Sequence, residues 1–298
     1  MKQTRNFHIT DLLLLIGAAL PVLAAILLKV LLIPASDGIE ITGAHIFFTI
    51  PLPFFDLPVT EAQVNSWCVI LSLLCLCLWF THGIRAGVEL KRQTIAEWIV
   101  EKCDGLVGEN MGSYFTGFGP FVASILALSA FSSLMSLFGL FPPTSDLNVV
   151  AGWAILVFVL ITYYKMKCGP IHYLKSFADP PALAPLNVIS EVATPISMAF
   201  RHYGNILSGT VISVLVAAGL QGLTKTVLGW LPGVLGEIPF LRIGLPAILS
   251  IYFDVFSGCL QAFIFAMLTM LYISGAFAED DYYARQEKKH KQVKHTVS

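Results

Sequence analysis

The chain has 298 residues, of which 56% are hydrophobic and only 12% charged, with a net charge of −1. An ordinary soluble domain carries about 25% charged residues, and a folded surface cannot hide this much apolar area from water. So few cations exclude a nucleic-acid groove. Six scattered Cys (Cys68, Cys75, Cys77, Cys103, Cys168 and Cys259) with no CxxC pair exclude a disulfide scaffold and read as small apolar fillers.

In chain order, residues 1–10 carry Lys2 and Arg5 and form a short polar N-terminus. The apolar stretch 11–34 follows. At about 24 residues it exceeds the roughly 7–15 of a signal-peptide core and reads as a retained membrane helix. The loop 35–63 holds Asp37, Glu40, Asp56 and Glu61 but no Lys or Arg, and its segment 40–60 reads as an ordered exterior loop. A second span is expected at 64–84. The loop 85–118 carries Arg85, Lys91, Arg92 and Lys102. Within it, 88–110 mixes Ile95, Trp98, Ile99, Val100 and Leu106 with charges, which predicts an amphipathic helix on the membrane surface.

The third span is expected at 119–141 and a short fourth at 149–166, separated by a turn that holds Asp146 and no cation. Lys165, Lys167 and Lys175 mark the next loop. Two over-long apolar segments, 184–220 and 242–276, flank a loop whose one cation is Lys225. The tail 279–298 is polar and basic. Cations therefore gather on alternate loops, which by the positive-inside rule gives six crossings of a single membrane domain, 11–278, with both termini in the cytoplasm. The fold class is an all-α polytopic membrane protein.

A 37-residue helix over 184–220 would rise about 55 Å, against a hydrocarbon core of about 30 Å. Two such segments in succession predict a steeply tilted hairpin over 184–276 that could wrap another protein surface. Its polar residues are ordered. Ser190, Thr194, Ser197, Arg201, Asn205 and Ser208 recur at steps of three and four, on one helical face, as do Asp254, Ser257 and Gln261. Arg201 cannot shed its proton, and near mid-membrane it must face water or a carboxylate. It is either an internal ion-pair partner of Glu191 or Asp254, or a fixed cation on an ion pathway. Glu191 lies about 80° off the Arg201 face, which argues against a pair within the helix. Glu191 and Asp254 could each titrate if water reaches them. His202 points about 100° away from Arg201 and either packs against a neighbouring helix or joins the pathway.

The runs PLNVISEVATPISMAFRHYGNILSG and LQAFIFAMLTMLYIS, with PPTSDLNVVAGWAI after FGLF, resemble subunit a of F-type ATP synthases, the stator channel subunit of the membrane Fo sector. The likeness covers about residues 85–278. It implies a subunit that packs against a rotating ring of c subunits, each with one membrane carboxyl, and that offers two offset aqueous half-channels to that carboxyl. The family's essential Arg falls on Arg201, its Asn four residues on falls on Asn205, its glutamine of the last helix on Gln261, and its exterior turn on Asp146 and Asn148. Ser197, Ser208, Thr210 and His202 share the implied ion path. Where many relatives read RLFGN and carry a glutamate further on, this chain reads RHYGN and has Thr210, with Asp254 on the last helix. That implies an entry relay of Asp254 with Glu191 and water. The extra first helix is a second departure.

The resemblance further implies contacts with a b-subunit peripheral stalk and, indirectly, with the soluble F1 sector, in a bacterial inner membrane. It implies no cofactor and no metal ion. No GxxxxGK[ST] or HExxH motif is present for phosphoryl or metalloprotease chemistry, and no repeated halves suggest a stand-alone transporter. The transported ion is H⁺ or Na⁺.

Overall fold

The computed structural model describes residues 9–33, 43–51, 53, 56–84, 91–170, 173, 177, 184–228, 248–249, 251–279 and 282–287. The N-terminal residues 1–8, the 229–247 connection of the expected hairpin and the tail beyond 287 lie outside the described residues. Among the described residues, six helical segments are long and apolar enough to cross a membrane. They begin with α1 (Ile9–Leu32) and α2 (Glu61–Thr81).

The ordered loop between them holds a small antiparallel ribbon, β1 (Ile46–Pro51) and β2 (Asp56–Thr60), paired from Pro51↔Asp56 to Ile46↔Thr60 with an irregularity between Ile46 and Phe48. This ribbon is the departure from an all-helical chain. IFFTIP is aromatic and β-branched, which suits a pleated surface. Thr60 closes the ribbon and caps α2, its hydroxyl accepting from the Gln63 N–H at 3.4 Å.

α1 packs along α2 through Ala25 and Val69, with Met135 and Leu140 closing the cluster. Both ends of α1 are tied by charge. The buried Asp11 accepts from Arg92 at 2.6 Å. Lys29 stands 3.5 Å from Glu61 and donates to the Gly139 carbonyl at 2.6 Å. A membrane helix carries charges at such cost that neutralised pairs at both ends are what allow it to stay seated.

α3 (Lys91–Met111) is the predicted amphipathic helix. Its second half buries Cys103, Val107 and Met111 at four-residue steps, while Ile95, Trp98 and Ile99 of its first half are exposed. A 3-10 turn, Ser113–Phe118, leads into α4 (Gly119–Leu134). The buried face of α4 is polar as well as apolar: Val122, Ser129, Ser132 and Ser133. A second 3-10 turn ends at Gly139 (φ +70°), where the left-handed backbone favours glycine.

Asp146 caps α5 (Leu147–Cys168), its carboxylate accepting from the Asn148 N–H at 2.9 Å. Lys165 and Lys167 sit in the last turn, where cations suit the helix dipole. The fourth span is therefore 22 residues, not the short one that the hydropathy of 149–166 suggests. The cap residues and the terminal lysines lengthen it at both ends without adding apolar character.

α6 (Ala184–Leu228) runs for 45 residues with Pro195 inside it, a length of about 68 Å. A π-helical segment, Ile251–Ser257, opens the last helix and passes into α7 (Gly258–Ala276). α7 is the hub of the bundle. Its Ala262, Phe265, Ala266, Met270 and Ile273 are all buried, and they pack with Val107 and Met111 of α3, Val122 of α4, Val150, Ala154, Val157 and Ile161 of α5, and Met198 and Ala199 of α6.

Candidate functional site

The polar stripe of α6 lies on the open side of the bundle. Ser190, Ser197, Arg201 and Ser208 are exposed, while Glu191, Thr194 and Asn205 are half-buried. The opposite side of the same helix is pinned by Met198, Ala199 and His202, all buried. Two hydroxyls of the stripe are satisfied on their own helix: Thr194 donates to the Ser190 carbonyl at 3.0 Å and Ser208 to the Asn205 carbonyl at 3.0 Å. Thr210, off the stripe and also exposed, donates to the Ile206 carbonyl at 3.1 Å. Arg201 makes no hydrogen bond or ion pair among the described residues. Val188, Ile196, Phe200, Ile212 and Leu215, elsewhere on the same helix, are exposed too. The result is a guanidinium on a polar stripe of an otherwise largely apolar exposed helix.

One turn beyond Arg201, Asn205 donates to the Ser257 hydroxyl at 2.9 Å and so ties α6 to the π-helical segment. Gly209 allows this close approach, and Gly258 allows that of the last helix to α4. A Cβ on Gly209 would stand 2.9 Å from Phe253, and one on Gly258 would stand 2.7 Å from the Ser133 side chain. Asp254 is half-buried in that segment, and Gln261, on the next turns, is 4% exposed. Asp254, Ser257 and Gln261 thus occupy the end of the last helix that meets Asn205.

Glu191 sits elsewhere. Lys165 Nζ lies 2.5 Å from one of its oxygens and 2.8 Å from the other, and the Tyr173 hydroxyl donates at 3.3 Å. Burial and the neighbouring carboxylate both push the Tyr173 phenol up, which keeps its proton in place for that bond. Glu191 lines a cavity of about 290 Å³ together with Lys165, Thr194, Tyr272 and Gly275. Tyr272 is 18 residues from Asp254, about 27 Å along the last helix. The structure therefore sets Glu191 and Asp254 at different levels of the bundle, and it gives Glu191 an ion pair to Lys165. Sequence spacing gives faces within one helix but not which neighbouring helix supplies the partner. The signal that could have found this pair was the cation-rich end of α5.

His202 is fully buried, its Nε2 lying 3.3 Å from the Ser129 hydroxyl. The rings of Trp153 and Phe265 meet it edge-on, with centroids at 6.1 Å and 5.4 Å. Of the two alternatives left open by sequence, the packing one describes its surroundings. Ser129 continues into a buried hydroxyl series: Ser133 donates to the Ser129 carbonyl at 3.1 Å and lies 3.3 Å from the Thr144 hydroxyl. These serines were missed in the sequence, although their i, i+4 spacing on α4 was visible. Asp146 and Asn148 stand two and four residues after Thr144, in the cap of α5. The turn before them is held by α2, where Asn65 donates to the Phe141 carbonyl at 2.8 Å and Glu61 accepts from the Phe141 N–H at 3.3 Å.

Comparison with known proteins converges on one family. A sequence-family profile described as ATP synthase A chain matches residues 64–274. The chain is 30% identical to the ATP synthase subunit a of Trichlorobacter lovleyi over 74% of its own length and 88% of the relative's. It is 31% identical to that of Desulforamulus reducens over 72% and 78%. It is also 29% identical to the sodium ion specific ATP synthase subunit a of Propionigenium modestum, over 81% and 88%.

Proposed function

Because the chain belongs to the ATP synthase A chain family, and so is a non-catalytic, ion-translocating membrane subunit of that complex, we propose that Arg201 is the fixed charge that keeps its two ion-access paths apart. The observation that carries this is the placement of Arg201: exposed on the polar stripe of a long, otherwise apolar helix, with no partner among the described residues. A guanidinium left there at full charge needs a carboxylate from another subunit. The c-ring carboxylate fits that need. As each ionised ring carboxyl passes, Arg201 attracts it. A free cation moving straight across meets repulsion that grows as the local dielectric falls.

One access path runs from the end that carries Asp146 and Asn148, past Asp254, Ser257, Asn205 and Gln261. The other opens at the end that carries Lys165, through the cavity of Glu191 and Thr194, and follows Ser197 toward the ring. Ser208 lies along the ring-facing length of α6 beyond Arg201, and Thr210 lies two residues further on, turned to the other side of the helix. The Lys165 end faces the cytoplasm, as do both termini, and the Asp146 end faces the exterior of a bacterial inner membrane. A b-subunit stalk holds the subunit still while F1 responds to rotation. Each charge moved through 100 mV releases about 2.3 kcal/mol.

Arg201→Ala should abolish ion-driven ATP synthesis while the complex still assembles. Near-normal synthesis in that variant would overturn the role. The coupling ion is H⁺ or Na⁺, and ATPase activity of membranes with and without Na⁺ separates the two.

A further inference from the structure

His202 is adjacent to Arg201 yet points about 100° away from it. Its surroundings are unusually constraining for a residue on a membrane helix. Three different helices meet the imidazole: α4 through the Ser129 hydroxyl at 3.3 Å, α5 through the edge of Trp153, and α7 through the edge of Phe265. The ring is 0% exposed, and its Nδ1 has no hydrogen-bond partner. A buried N–H donor without an acceptor is costlier than a bare ring nitrogen, which retains only a lone pair. The tautomer that follows carries its proton on Nε2 and donates to Ser129, leaving Nδ1 as an unprotonated nitrogen against aromatic edges. Ser129 is itself fixed, since Ser133 donates to its carbonyl and Ser133 meets Thr144 beside the cap of α5.

We infer that His202 is a positioning residue for Arg201: its three-sided contact sets the rotation of α6 about its own axis and so aims the guanidinium off the packed bundle. The inference rests on the proposed role of Arg201. Helix rotation is the coordinate that matters, because one residue step turns a side chain by about 100°, and a slip of a fraction of that swings Arg201 out of its exposed position, toward α5 on one side or the π-helical segment that Asn205 meets on the other. Met198 and Ala199 pack apolar surface, which resists separation but tolerates sliding. A directional hydrogen bond from a ring held edge-on does not.

The test uses the assembled ATP synthase in native membranes, with the amount of complex measured for each variant. His202→Leu keeps apolar bulk, removes the donor and leaves the Ser129 hydroxyl buried without it. It should raise DCCD-sensitive passive ion leak per complex and lower ions pumped per ATP hydrolysed, by roughly tenfold in synthesis rate. Adding Ser129→Ala should recover part of the loss, because the orphaned hydroxyl is gone. His202→Gln, which can still donate at similar reach, should leak less than His202→Leu. A purely structural role would lower the amount of complex and every activity in proportion. Unchanged leak and pumping ratio at normal complex levels would overturn the inference. So would failure of both His202→Gln and Ser129→Ala to assemble, since the contact would then serve folding and not aim. If Arg201→Ala retains synthesis, the role of Arg201 itself fails, whichever way the His202 variants behave.

Discussion

Lys165 changes what Glu191 can do. A carboxylate read as one half of an entry relay is held by an ammonium at 2.5 Å and 2.8 Å, with a tyrosine hydroxyl on the same oxygen as the longer contact. Both partners are partly exposed, so the pair is worth less than a fully buried one, and its loss should be felt as an unpaired charge more than as a lost attraction. Glu191→Gln alone should destabilise the complex in detergent by about 1–2 kcal/mol. Combining it with Lys165→Met should bring the midpoint back toward the parent in thermal melts. A double variant no better than the single would show that the two side chains do not compensate each other. At this scale the sequence was legible for Arg201 and for its face, because a lone cation in an apolar helix has few readings. It was not legible for pairing, since Lys165 is 26 positions from Glu191 and nothing in either local pattern links them.

Among elements, two glycines mark close approaches of the last helical segment, one to α6 and one to α4. Gly209→Ala puts a Cβ against the ring of Phe253, and Gly258→Ala puts one against Ser133. Each should cost about 1–3 kcal/mol through overpacking, read as a lower midpoint or a lower yield of complex. Gly258→Ala should cost more, because its neighbour is a Cβ on a helix and cannot swing away. Asp146→Ala should cost about 1 kcal/mol by uncapping α5, with Asp146→Asn closer to the parent. The helices themselves were readable from hydropathy and charge. The π-helical turns and the β1–β2 ribbon were not: both are short, and both depend on how neighbouring segments pack and not on a period in the sequence.

For the whole molecule, the orientation proposed rests on the asymmetry of Lys and Arg. In a background without native Cys, a cysteine at Asn148 should react with an impermeant maleimide added outside intact cells. One at Lys167 should react only in inverted vesicles. The reverse pattern would invert every sidedness statement made for the two access paths. α1 lies outside the matched residues 64–274 yet is bound to the bundle by Asp11–Arg92 and by Lys29 with Glu61, so it belongs to the folded unit described.

Pro195 has a mechanical meaning. It lies between Glu191, moored to Lys165, and His202, wedged among three helices, and it has no N–H to give to the Glu191 carbonyl four residues back. A rod clamped at two stations and missing one rung between them bends at the rung. On the role proposed for Arg201, load placed on that face by a passing subunit would be absorbed as flexure at Pro195, a spring in series with the stator, before it worked loose either clamp.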